Sequence, residues 1–158
     1  MAVLGEPLPS GLAGEALAKL QAFEAQHLAN LAWAFAALGR MQPELLQAVA
    51  GEAELRLGEF SPEELSGLLW AYATLSAQEP SLLRAAAGQI GERLEDFGSR
   101  EAANVAWAFA VARADASGPL LRRIAEVMAT ELDAATGQPS SATLLAHDAL
   151  AALWALRR

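Results

Sequence analysis

Leu28-Ala-Asn-Leu-Ala-Trp-Ala-Phe-Ala36 returns as Leu65-Ser-Gly-Leu-Leu-Trp-Ala-Tyr-Ala73 and again as Ala102-Ala-Asn-Val-Ala-Trp-Ala-Phe-Ala110. The tryptophans Trp33, Trp70 and Trp107 stand 37 residues apart, and Phe23, Phe60 and Phe97 keep the same step. A fourth copy, Ala149-Leu-Ala-Ala-Leu-Trp-Ala-Leu156, follows the third by 47 residues. The extra ten fall in 133–143, where Gly137, Pro139, Ser140 and Ser141 supply loop chemistry. Self-similarity at this period implies stacked helical units, because one unit cannot bury its own apolar face.

Within each copy the spacing predicts two helices. The tryptophan helix carries Leu28, Leu31, Phe35 and Leu38 at steps of three and four. Alanine fills most other positions, the pattern of a helix enclosed by neighbours. Its second copy opens on Ser61-Pro62-Glu63-Glu64, a capping serine, a first-turn proline and a glutamate three residues after the serine. The companion helix, 43–57, puts Leu46, Val49, Ala53 and Leu57 on one side and Glu44, Gln47, Glu52, Glu54 and Arg56 on the others. The chain thus reads as all-α: one α-solenoid domain over 1–158, eight helices and no strand, with a half-repeat at 12–22, units at 23–59, 60–96 and 97–143, and a last helix in 144–158.

With 158 residues the chain has the length of one ordinary domain. Apolar residues at 54% and charged residues at 19% exclude a disordered chain. The absence of cysteine removes disulfides, thiolate metal sites and cysteine nucleophiles, and two histidines, His27 and His147, argue against a histidine-rich metal centre. Its charge-free stretches, 65–78 and 28–39, fall short of the roughly 20 apolar residues of a membrane span. The segment from Met1 to Pro7 has neither a secretion signal's basic start nor an arginine-rich transit helix. No glycine-rich phosphate loop, histidine pair or serine–histidine–acid set stands out, so no enzyme, cofactor or metal is expected.

The phrase Gln26-His-Leu-Ala-Asn-Leu-Ala-Trp-Ala-Phe-Ala-Ala-Leu-Gly39 resembles the most recognisable segment of octotricopeptide repeats, approximately Pro-Gln-x-Leu-Ala-Asn-x-x-Trp-Ala-x-Ala-x-Leu-Gly. Phe60-Ser-Pro-Glu-Glu-Leu65 is similar to that family's Phe-x-Pro-Gln-x-Leu lead-in. Comparable helical repeats occur in the FAST-kinase and RAP-domain group. The resemblance covers 23–158; Gly67 and Ala151 replace the asparagine, Ser76 replaces the closing glycine, and no RAP-like domain is visible. It implies an organellar factor, in a plastid or mitochondrion, that binds single-stranded RNA and controls its maturation, stability or translation.

Offsets of −7, −3 and +4 from the tryptophan share one stripe of the helix. Through the copies that stripe reads Gln26, Asn30, Ala37; Glu63, Gly67, Thr74; Arg100, Asn104, Val111; and His147, Ala151, Arg158. A modular RNA reader needs variable polar side chains on a constant scaffold, which makes Gln26, Asn30, Arg100, Asn104 and His147 the candidates for contacting RNA or a partner. The alternative is a solvated first turn, with the asparagines bonding loop backbone. The tryptophans are expected in the core. The mostly acidic −6 position, His27, Glu64, Glu101 and Asp148, suits a helix N-terminus.

Charge opposes the RNA reading. The net charge is −8, with eleven basic residues, and phosphate contacts supply much of nucleic-acid affinity. Arg56 and Arg93 share a register on the companion helices and are expected to pair with glutamates. A second reading is therefore a protein–protein scaffold, an accessory subunit of a larger organellar assembly such as a ribosome or photosynthetic complex. The last helix, 143–157, is as apolar as the interior copies, so Leu150, Leu153 and Leu156 are expected to form an interface covered by a partner.

Overall fold

The computed structural model describes residues 10–77, 79–112 and 118–136, and all the regular structure among them is helical. The α-helices run α1 Ser10–Lys19, α2 Ala25–Ala37, α3 Pro43–Leu55, α4 Pro62–Thr74, α5 Pro80–Glu92, α6 Ser99–Ala112 and α7 Gly118–Thr136. The eighth helix expected at 143–157 lies outside the described residues, as do His147, Leu150, Leu153 and Leu156. None of the helices found is long and apolar enough to cross a membrane.

Local chemistry sets the boundaries. Ser61 Oγ accepts the backbone N–H of Glu64 at 3.2 Å, and the Glu64 carboxylate accepts the N–H of Ser61 at 2.8 Å. This reciprocal cap starts α4 as the sequence predicts, with Pro62 at the first helical position. His27 does the corresponding work for α2, its Nδ1 accepting the N–H of Glu24 at 3.1 Å. The −6 position thus caps backbone groups, a more specific role than a favourable place in the helix dipole.

Helices α1, α3 and α5 stop earlier than periodicity alone predicts, because each gives way to a 3-10 turn: Leu20–Ala22, Leu57–Glu59 and Leu94–Asp96. In each the leucine drops into the core and its carbonyl accepts the N–H of the phenylalanine three residues on. The distances are 3.0 Å for Phe23, 3.4 Å for Phe60 and 3.1 Å for Phe97. One turn further along the same phasing stand Thr130 and Glu131, without the basic-leucine pair, and α7 continues unbroken to Thr136.

Helix α4 packs against α2 on one side and α6 on the other. A second row forms behind them, with α1 against α3 and α3 against α5, while Arg123 of α7 donates to the Gly91 carbonyl of α5 at 2.5 Å. Alanines Ala32, Ala71 and Ala108 are fully buried and let neighbouring helices approach closely. Leu28, Leu65, Leu68, Leu82 and Ile90 fill the space between the rows. Burying each such side chain contributes about 1.5–3 kcal/mol.

Arg56 and Arg93 bond to backbone at the chain reversals, and of the glutamate pairs expected for them Arg56 forms one, with Glu52. Arg56 Nη2 donates to the Phe23 carbonyl at 2.8 Å, and Arg93 Nη2 to the Phe60 carbonyl at 2.6 Å. The guanidinium of Arg56 also lies 4.0 Å from Glu52. Phe23 and Phe60 close the 3-10 turns, and their carbonyls, left without helical partners, accept charge-assisted hydrogen bonds from these guanidinium groups.

Candidate functional site

The first-turn caps fix where α2 and α4 begin, and side-by-side packing of α2, α4 and α6 then aligns the 37-residue phrase across three helices. Their outer face carries the stripe picked out in the sequence. Gln26, Glu63 and Arg100 are exposed; Asn30 is exposed while Gly67 and Asn104 are half-buried; Ala37, Thr74 and Val111 are exposed.

Trp33 and Trp107 are exposed on this face, which corrects the expectation that they are core, while Trp70 packs against the core as expected. Trp33 is 53% and Trp107 44% exposed, and Trp70 is half-buried. The core is filled by the flanking residues of the phrase, such as Leu28, Ala32 and Phe35. Trp70 and Trp107 stack across the α4–α6 boundary, ring centroids 6.4 Å apart and planes inclined by 32°. The signal was available in the spacing: positions −7, −3, 0 and +4 all lie on one helical stripe, so a polar −7 and −3 bring the tryptophan to the surface with them.

Four of the five polar candidates meet in one groove of about 520 Å³. Its walls include Gln26, Asn30 and Trp33 from α2, Glu63, Glu64 and Gly67 from α4, and Arg100, Glu101 and Asn104 from α6. The fifth, His147, lies outside the described residues. The side-chain amides of Gln26, Asn30 and Asn104 make no hydrogen bond to a described residue. The asparagines therefore do not serve as ties to loop backbone, and they present donors and acceptors to the groove.

Among the described residues Arg100 is the one basic side chain lining the groove. Its Nη2 lies 2.9 Å from Glu101 and 3.4 Å from Glu63, which stands 37 residues earlier on the neighbouring helix. The Glu101 carboxyl is held below the ordinary carboxylate range, first by a hydrogen bond from its own backbone N–H and then by the Arg100 guanidinium. Gly98 makes room for this arrangement: a Cβ there would lie 2.7 Å from Glu101 Oε2. Three carboxylates against one guanidinium leave the groove with a formal charge of −2.

A second cleft, of about 470 Å³, lies between α1 and α2 and is lined largely by Phe23, Leu31, Ala34, Phe35 and Leu38. The residues one step later in the phrase, Phe60, Leu68, Ala71 and Tyr72, are all buried. No group of three or more histidines or acidic residues that could hold a metal ion occurs among the described residues. Comparison with protein-family models gives no match, and comparison with curated proteins gives none either.

Proposed function

We propose that this chain is a non-catalytic α-solenoid module, built on its 37-residue sequence repeat, whose tryptophan face docks a protein partner. The observation that carries the reading is the composition of the groove: the exposed Trp33 indole and unengaged amides combined with a net charge of −2. Aromatic side chains with a polar surround are the usual anchors of protein interfaces. Polyanions disfavour this surface, because neutralising phosphates drives most of nucleic-acid affinity and Arg100 is already neutralised by Glu63 and Glu101. In this reading the module is an accessory subunit of a larger assembly, in keeping with the organellar setting that the octotricopeptide resemblance implies.

The tryptophans also favour a second reading. An exposed Trp33 beside asparagine and glutamine, with the Trp70–Trp107 pair on the same face, offers a platform on which single-stranded RNA bases stack, in keeping with the same resemblance. A peptide-display library selected on the wild type and on Trp33→Ala/Trp107→Ala separates the two. The protein reading expects enriched peptides that the double variant does not retain. It is overturned when no tryptophan-dependent peptide emerges and a single-stranded RNA pool binds at low salt.

A further inference from the structure

Resting on the protein-docking reading, we infer that the tryptophan face takes an extended segment bearing arginine or lysine, its cations seated over Trp70 and Trp107 and against Glu63 and Glu101.

Three observations lead there. First, the rings of Trp70 and Trp107 are paired with centroids 6.4 Å apart, so a cation within the roughly 6 Å reach of the exposed Trp107 indole meets an aromatic pair rather than a single ring. Trp107 is 44% exposed, and a ligand reaches it without displacing the core. Second, the carboxylates of the groove, about two helical turns before the rings on α4 and α6, already accept a guanidinium. Arg100 bridges Glu63 and Glu101 across two helices, and its side chain remains 72% exposed. The chain's own arginine thus shows what chemistry the carboxylate pair holds, in a position open to competition from a ligand's arginine. Third, Gln26, Asn30 and Asn104 have amides with no described partner. A side-chain amide offers a donor and an acceptor together, the pair of groups that an extended backbone presents.

Geometry fixes the form of the ligand as well. Glu63 stands seven residues before Trp70 on α4, about 10 Å along the helix axis, and an extended chain advances about 3.3 Å per residue, so the two seats lie about three ligand residues apart. A segment with a basic residue at every third position matches that spacing. Single-stranded RNA has the aromatic complement but places a negative charge on every nucleotide against a groove of net charge −2.

The test uses the full chain and three fluorescent probes: a synthetic (Arg-Gly-Ser) repeat peptide, the same peptide with citrulline for arginine, and oligouridine. In anisotropy titrations the arginine peptide binds, weakens as salt rises, and loses binding with Trp107→Ala. Citrulline, which keeps the shape and removes the charge, weakens binding about tenfold. Arg100→Gln is the decisive variant because the two macromolecules respond with opposite sign. Removing the competing guanidinium tightens the arginine peptide about two- to fivefold, whereas it weakens RNA. Equal binding of the citrulline peptide, weaker peptide binding by Arg100→Gln, or no binding of either peptide overturns the inference. Binding of the citrulline peptide that depends on Trp107 leaves the protein-docking reading standing, and binding of oligouridine alone removes both.

Discussion

Ser76 adopts the same left-handed backbone conformation as Gly39, 37 residues earlier, with φ of 55° against 61°. Both close a tryptophan helix with the same pair of bonds. The N–H of Gly39 reaches the Ala36 carbonyl at 3.0 Å, and that of Arg40 the Phe35 carbonyl at 2.9 Å. Ser76 and Ala77 bond to Ala73 and Tyr72 at 3.0 and 2.9 Å. The serine that interrupts the Leu-Gly ending in sequence thus leaves the turn unchanged and carries strain that glycine does not.

Replacing Ser76 by glycine should therefore stabilise the fold. Relief of the left-handed strain outweighs the added freedom of glycine in the unfolded chain, for a net gain of about 0.5–1 kcal/mol. Gly39→Ser should lose a comparable amount. Urea denaturation checks both, as opposite shifts in midpoint with an unchanged slope.

Arg93 makes a second prediction. It sits at the end of α5, with Nη2 bonded to the Phe60 carbonyl at 2.6 Å and 3.4 Å from that of Leu57. Hydrogen bonds from a charged donor are worth about 1.5–3 kcal/mol, and Arg93→Ala should lose that much. Arg93→Lys retains the charge but not the fork, and should recover only part of the loss. Full recovery by lysine in chemical denaturation would mean that charge at the helix end, and not the directed bond, holds the turn.

How legible these features were depended on the kind of signal. The order of the seven described helices came from periodicity, and the start of α4 from Ser61-Pro62-Glu63-Glu64, whose cap forms as the residue types require. Gln26, Asn30, Arg100 and Asn104 emerged as one surface because helical spacing alone puts them on one stripe. Periodicity misplaced the ends of α1, α3 and α5, since Leu20, Leu57 and Leu94 continue the apolar pattern through a turn that is no longer α-helical. Trp33 and Trp107 were misplaced for the opposite reason, by residue type and not by periodicity. Residue type argues for burial, and in Trp33 the register prevails over the type. The arginine bonds to Phe23 and Phe60 were beyond reach, because their acceptors are backbone carbonyls that a sequence does not distinguish.

Tyr72 carries a pH dependence. Phe35 and Phe109 hold its place in the other copies, but Tyr72 is buried and its hydroxyl donates to the Leu46 carbonyl at 2.5 Å. Burial, with Glu79 adding to it, pushes the phenol far above its ordinary value. Below about pH 10 the group is protonated in both states and stability does not depend on it. Above that, the unfolded chain ionises while the folded protein keeps its proton, so stability falls by about 1.4 kcal/mol per pH unit. Tyr72→Phe should lose about 0.5–1.5 kcal/mol at pH 8 and escape the alkaline decline. Urea midpoints of both proteins at pH 8 and 11 measure the effect as their difference, and parallel curves would contradict it.

Trp33 and Phe60 should behave as opposites, although both recur at the same 37-residue step. Phe60 is 1% exposed, and Phe60→Ala removes a ring from a packed interior, at a loss of about 3–5 kcal/mol. Trp33 is 53% exposed and lines the groove, so Trp33→Ala should change stability by no more than about 1 kcal/mol. Chemical denaturation of the two variants gives the contrast directly. Far-UV circular dichroism of Trp33→Ala should match the wild type, since α2 owes its position to Leu28, Ala32 and Phe35. Were Trp33→Ala to destabilise as much as Phe60→Ala, the indole would be packed against the core in solution, and the tryptophan face would no longer exist as a docking surface.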